Sequence, residues 1–207
     1  MKKNYSYIGI SFIVLIFGIW AIPKIVDRLS GPDLEVIGEA PSFSFTNQNN
    51  QIITDEDYKG KVYVVEFFFT TCPTICPIMN ENMVKIQDEF FGNKNFGIAS
   101  FSINPEKDTP EVLKKYADEY GVSNPNWHML TGNREDIYKL ANQGYNLYVG
   151  INPEIVDGFE HSGYFALIDQ DGNIRSRKDE FGNPIVYYNG LDQKNINMLK
   201  EDIKKLL

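Results

Sequence analysis

Histidine and cysteine are scarce in this chain: 207 residues hold two of each. Two thiolates cannot complete a tetrahedral zinc site, so any metal held by both cysteines needs a further ligand from elsewhere. A basic surplus is missing too. Twenty Lys and Arg stand against 28 Asp and Glu, a net charge of −8, which argues against nucleic-acid binding through a basic face. Residues 1–29 carry four basic side chains and one acidic one, leaving 16 basic and 27 acidic, net −11, for the remainder. No internal repeat and no low-complexity tract occurs. No small-x-small cleavage pattern follows the N-terminal apolar run, where Trp20-Ala21-Ile22-Pro23 stands, which argues against a cleaved signal peptide. No cysteine follows that run directly, which excludes lipoprotein processing on chemical grounds.

What is present begins with that run. Tyr5 to Ile22 is free of charge, and as a helix it would rise about 27 Å, close to the hydrocarbon thickness of a bilayer. Tyr5, Tyr7 and Trp20 stand near its ends, where aromatic belts form. Residues 1–4 are thus expected as a cytoplasmic start, 5–22 as an uncleaved transmembrane anchor, 23–39 as a linker and 40–207 as one soluble domain. Lys2, Lys3 and the terminal amine outweigh Lys24 and Arg28, which Asp27 offsets. This bias favours a single pass through the inner (cytoplasmic) membrane, with the domain facing the periplasm or the outside.

The stretch that carries chemistry runs from Lys61 to Met83. Val62 to Phe69 is rich in β-branched and aromatic residues and reads as a buried strand. Cys72 and Cys76 follow, each trailed by a proline, and Pro77 suits the first turn of a helix predicted to reach about Phe90. Both thiols therefore fall where a strand ends and a helix begins. A helix N-terminus favours negative charge, so a lowered pKa is expected at Cys76. Cysteines four apart at such a junction can close a disulfide or direct both sulfurs at one soft cation. A structural disulfide or a pair of buried free thiols is the plainer reading. The spacing C-x-x-x-C is one residue wider than the usual redox motif.

Around this unit the chain reads as follows. Ser42–Thr46 and Ile52-Ile53 form a hairpin, and a helical turn falls at Asp55–Tyr58. Phe96–Ile103 is a strand; a helix capped by Thr109 and stopped by Gly121 follows it. Trp127–Leu130 is a short strand, and Asn133 caps a helix over Arg134–Asn142. Tyr145–Phe159 shows no period and is expected to be irregular. Tyr164–Asp169 and Ile174–Arg177 pair across an Asp171-Gly172 turn. Ile185–Tyr188 is an edge strand, and a last helix is capped by Asp192. Strands alternating with helices predict an α/β fold: a thioredoxin-like mixed sheet flanked by helices, with an N-terminal β-hairpin and one N-terminal transmembrane helix.

The two histidines differ in setting. His128 lies in Trp127-His128-Met129-Leu130 and reads as a structural strand residue. His161 precedes the Tyr164 strand, and in a thioredoxin-like fold that loop faces the cysteine-bearing helix start. A histidine there reaches both sulfurs, and two thiolates with one imidazole make a soft, trigonal set suited to copper. Glu160 could support the ring. A solvent-exposed loop histidine is the alternative.

Several motifs together resemble the Sco/SenC family of copper chaperones: Phe68-Phe69-Thr70-Thr71-Cys72-Pro73-Thr74-Ile75-Cys76-Pro77, Asn104-Pro105-Glu106-Lys107-Asp108-Thr109-Pro110, Trp127 with Leu130-Thr131-Gly132, and His161-Ser162 ahead of Asp171-Gly172. The likeness spans about residues 40–207. It implies a membrane-anchored thioredoxin-like protein that binds one copper, Cu(I) or Cu(II), through Cys72, Cys76 and His161 and helps assemble the copper centre of cytochrome c oxidase. Implied partners are the copper-bearing oxidase subunit, a copper donor protein and a thiol reductant. Thr74 and Asn104 stand where the family often has Asp. A second reading is a membrane-anchored thiol–disulfide reductase with Cys72 and Cys76 as its catalytic pair, which keeps oxidase cysteines reduced and needs no histidine. A third is a redox or copper sensor. No Arg near Cys72 in sequence supports a peroxidase.

Overall fold

A computed structural model describes residues 6–30, 34–152 and 158–207. The chain divides into two units between Asp33 and Leu34. The first is the helix α1 (Ser6–Ser30), in which Ile13, Val14, Phe17 and Ile19 are exposed. Among the described residues no helix is long and apolar enough to cross a membrane, so the anchor expected over 5–22 is not established by the fold. The cytoplasmic start, residues 1–4, and linker residues 31–33 lie outside the described residues.

The second unit holds the strands β1 (Leu34–Glu39), β2 (Ser44–Asn47), β3 (Ile52–Thr54), β4 (Val62–Phe68), β5 (Phe96–Ser102), β6 (Trp127–Thr131), β7 (Val149–Ile151), β8 (Phe159–His161), β9 (Tyr164–Ile168), β10 (Asn173–Arg177) and β11 (Tyr188–Asn189). Between them run α2 (Ile75–Glu89), α3 (Pro110–Tyr120), α4 (Arg134–Lys139) and α5 (Gln193–Leu206). The main sheet is ordered β1-β10-β9-β4-β5-β6-β2-β3, with β11 pairing off this order with the start of β9. Its centre, β4-β5-β6, is parallel, and the flanking pairs are antiparallel. The mixed α/β sheet flanked by helices is thus the one the sequence predicts. Every residue of β4 and β5 is buried, as expected of central parallel strands covered on both faces. On one face Tyr116 of α3 stacks on Phe68 at 5.7 Å. On the other Phe67 stacks on Phe101 at 5.4 Å and meets the edge of Tyr145 at 6.1 Å.

Local chemistry explains the helix ends. Thr109 Oγ1 accepts from the Val112 amide, Pro110 occupies the first turn of α3, and Gly121 ends it at φ +70°. Asp192 accepts from the Lys194 and Asn195 amides at the start of α5.

Three expectations need correction. Residues 34–39 of the expected linker 23–39 form β1, paired with β10. Leu34 is buried, its carbonyl accepts from Arg175 Nη2 at 2.6 Å, and Glu35 pairs with Lys178 at 2.7 Å. The register shifts between Val36 and Gly38, a bulge within that pairing. The segment expected to be irregular carries β7 and β8, an antiparallel pair, and buries Tyr145, Leu147 and Val149. The edge strand expected at Ile185–Tyr188 shrinks to Tyr188–Asn189. Val186 sits at φ +64° and the Tyr187 amide folds back onto the Ile185 carbonyl at 2.8 Å, a tight turn incompatible with a strand.

Candidate metal centre

The carboxyl ends of β4, β5 and β6 lie at one end of the sheet, where open α/β folds place their sites. The loop leaving β4 carries Cys72 and is tied down from β5. Asp108, fully buried, accepts from the Thr70 amide at 3.1 Å, from Thr70 Oγ1 at 2.5 Å and from Ser102 Oγ at 2.5 Å. Thr74 begins α2 without a side-chain capping bond. The amide of Cys76, in the first turn, is thereby free to donate to Cys72 Sγ at 3.5 Å. The open N-terminal turn of α2 thus serves a sulfur rather than a cap oxygen.

His161 arrives from the far side. It is the last residue of β8, a strand position rather than the loop that the sequence suggests. Its Nε2 lies 3.1 Å from Cys76 Sγ, and its Nδ1 lies 3.2 Å from the Ser162 carbonyl. A carbonyl only accepts, so Nδ1 carries a hydrogen, and Nε2 is the ring atom turned to the sulfurs. Phe69 meets the imidazole edge-on at 5.8 Å. The Ser162 carbonyl therefore does the orienting expected of Glu160, which is exposed and accepts from Asn152 Nδ2 instead. Cys72 Sγ, Cys76 Sγ and a His161 ring nitrogen all lie within 4.8 Å of one another, close enough to hold a metal ion, and all three residues are buried.

The electrostatics reverse one expectation. Neither cysteine is in a disulfide. The hydrogen bond from Cys76 holds the Cys72 thiol down at about 3, overcoming burial, with further help from His161 and from the Cys76 and Thr74 amides. The same bond, then burial and the charge on Cys72, pushes the Cys76 thiol up. The thiolate is Cys72, which accepts the helix-start amide, and not Cys76, which merely occupies the helix start. A thiolate, a thiol that ionises on metal binding and an imidazole nitrogen form a donor set suited to a soft or borderline ion.

His128 stays outside this centre. It lies in β6, its Nδ1 is 3.2 Å from Asn47 Nδ2, and its ring stands edge-on to Tyr58 at 5.9 Å; burial lowers its pKa. Sequence reasoning missed Glu66, fully buried in β4, because an acid inside an apolar strand left no mark on the periodicity. It also missed Asn142, whose role depends on strands that it did not foresee.

The family profile described as SCO1/SenC matches residues 35–194. The chain is 34% identical over 168 residues to a SCO1 protein homolog of Bacillus subtilis, covering 80% of this chain and 81% of that one. A solved structure of BsSco, described as a member of the Sco family of cytochrome c oxidase assembly proteins with a disulfide switch, superposes at a TM-score of 0.67 with 29% identity, over 83% of this chain and 95% of that one. ScoI of Bradyrhizobium japonicum, solved with copper bound, shares the fold at a TM-score of 0.63 and 23% identity, covering 82% of this chain and 99% of that one.

Proposed function

The chain belongs to the SCO1/SenC family, and from that premise we propose that it is a copper metallochaperone, holding one copper ion through Cys72, Cys76 and His161 for the copper centre of a cytochrome c oxidase. The observation that carries this reading is the convergence of three buried soft donors on one point. A pure thiol–disulfide reductase would need the two sulfurs alone.

The chain's own groups suggest how copper, the cargo, is taken up. Cys72, already a thiolate, offers the first sulfur. Cys76 gives up its proton as the second sulfur binds, so loading releases a proton. The Nε2 lone pair of His161, oriented through the Ser162 carbonyl, completes the set. Without metal and under oxidising conditions the sulfurs close a disulfide, and a thiol reductant must reopen it. The reductase reading draws support from the thiolate at Cys72 beside the buried thiol of Cys76. The charge-free run 5–22 anchors the chain in the cytoplasmic membrane, with the copper-binding unit outside; the recipient is the copper-bearing oxidase subunit and the source a copper donor protein.

His161→Ala tests the reading. Cu(I) accepts two thiolates, whereas Cu(II) prefers more ligands and nitrogen. The variant should lose Cu(II) binding and its sulfur-to-copper absorption, keep weakened Cu(I) binding, still form its disulfide, and fail to support oxidase assembly. Unchanged Cu(II) spectra with normal assembly would end this reading in favour of the reductase.

A further inference from the structure

The strand pair that carries His161 stands apart from the main sheet, and a two-stranded ribbon by itself is marginal. Its position must come from outside contacts, and two come from one segment, α4 with the π-helical turn Leu140–Gly144 that continues it. Asn142, inside that turn, donates from Nδ2 to the Val149 carbonyl at 2.9 Å and accepts from the Val149 amide on Oδ1 at 3.0 Å. Val149 is the residue directly opposite His161 in the β7–β8 register. The flanking amide of Ser162 bonds the Tyr148 carbonyl at 3.0 Å, and with Val149's own polar groups turned to Asn142, the Val149–His161 pair is of the closely spaced, non-hydrogen-bonded kind. The other strand is held from the start of the same segment. The Arg134 guanidinium lies 5.6 Å from the ring centre of Phe159, two residues before His161, and is itself paired with Glu106 from the loop after β5. Phe159 in turn packs on Phe69 at 5.3 Å, and Phe69 on His161.

We propose that Asn142 and Arg134 are positioning residues for His161: one grips each strand of the ribbon, and together they hold the imidazole at bonding distance from Cys76. The inference rests on His161 being a copper ligand. The π-helical turn gives Asn142 its place, because the wider turn sets that side chain against the outer edge of β7 while its amide also reaches the Tyr138 carbonyl at 3.0 Å. Neither residue touches the sulfurs. Their loss should therefore weaken the nitrogen contribution selectively, as loss of an outer support does at other metal sites.

The test uses the full-length chain in detergent, titrated with buffered Cu(II) and, separately, Cu(I), with electron paramagnetic resonance reporting nitrogen coupling to Cu(II). Asn142→Leu keeps the size of the side chain but removes both bonds to Val149. It should weaken Cu(II) about tenfold and diminish the nitrogen coupling, while Cu(I) affinity falls by clearly less and disulfide formation stays as in the wild type. Asn142→Asp, which still accepts from the Val149 amide but cannot donate to its carbonyl, should fall between. Arg134→Gln should shift Cu(II) in the same direction. Should Asn142→Leu not fold, Asn142→Asp and Arg134→Gln decide. Wild-type Cu(II) affinity and nitrogen coupling in the folded variants, or equal losses of Cu(I) and Cu(II), would overturn the proposal while His161→Ala still abolishes Cu(II) binding. A His161→Ala protein that binds Cu(II) like the wild type overturns the copper-ligand reading itself, and this inference with it.

Discussion

Ser100 Oγ donates to Glu66 Oε1 at 2.6 Å, the two residues facing each other in register across β4 and β5. The hydroxyl also accepts from Trp127 Nε1 at 3.0 Å, and the other carboxylate oxygen of Glu66 has no partner. Burial favours the neutral form of an acid so placed and pushes its pKa up to about 7, against the lowering effect of Ser100.

That shift makes stability depend on pH. The folded state favours protonated Glu66, so its contribution is complete below the ordinary carboxylate range and is lost as pH rises through about 7. The loss at alkaline pH should reach ~3 kcal/mol. Glu66→Gln, neutral at every pH, should remove this component. Urea midpoints for both proteins between pH 5 and 9 give the comparison, and parallel curves would show that Glu66 does not titrate on unfolding.

The thiols should differ in reactivity. In the reduced, metal-free protein Cys72 is ionised at neutral pH and 8% exposed, whereas Cys76 is protonated and fully buried. Brief treatment with iodoacetamide should label Cys72 first, read by peptide mass spectrometry. Cys76→Ala removes the donor to the thiolate and should raise the pH at which Cys72 reacts. Preferential labelling of Cys76 would contradict the assignment.

Asp108 is the anchor of the cysteine loop. Asp108→Ala strands the donors of Thr70 and Ser102 in a buried setting, and the protein should lose about 3 kcal/mol, measured by denaturant unfolding. The Cys72 thiol should also react at a higher pH as the loop loosens. An unchanged unfolding midpoint would remove Asp108 from this role.

His128→Ala is expected to be silent at the metal centre. It removes the contacts with Asn47 and Tyr58 and should cost about 1 kcal/mol in stability. Cu(II) spectra should match the wild type; altered spectra would mean that β6 communicates with the centre.

Much of this was legible before any coordinates. The buried run Val62–Phe69, whose strand ends at Phe68, the caps Thr109, Asn133 and Asp192, and the Gly121 stop are local signals that the fold uses. The approach of His161 to the sulfurs was legible only through fold-level analogy and the resemblance. Three features were not. β1 exists because β10 offers it an edge, a relationship absent from Leu34–Glu39 itself. Which cysteine is the thiolate depends on where one amide points, which the C-x-x-x-C spacing does not specify. Asn142 looked like the end of a helix; its function needs a partner strand seven residues onward.

Cys72 and Cys76 are four positions apart, whereas Cys76 and His161 are separated by 85. A newly made chain presents both sulfurs together as soon as they emerge, but the imidazole joins them only once β8 and β9 have found their places. An unfolded chain can therefore capture a thiophilic ion with two donors, and only a finished one can offer three. On the proposed ligand set the third donor would make the centre a checkpoint on maturation: an ion that demands nitrogen would be admitted after folding is complete, and would then stabilise the native state by an amount that grows with the logarithm of its affinity.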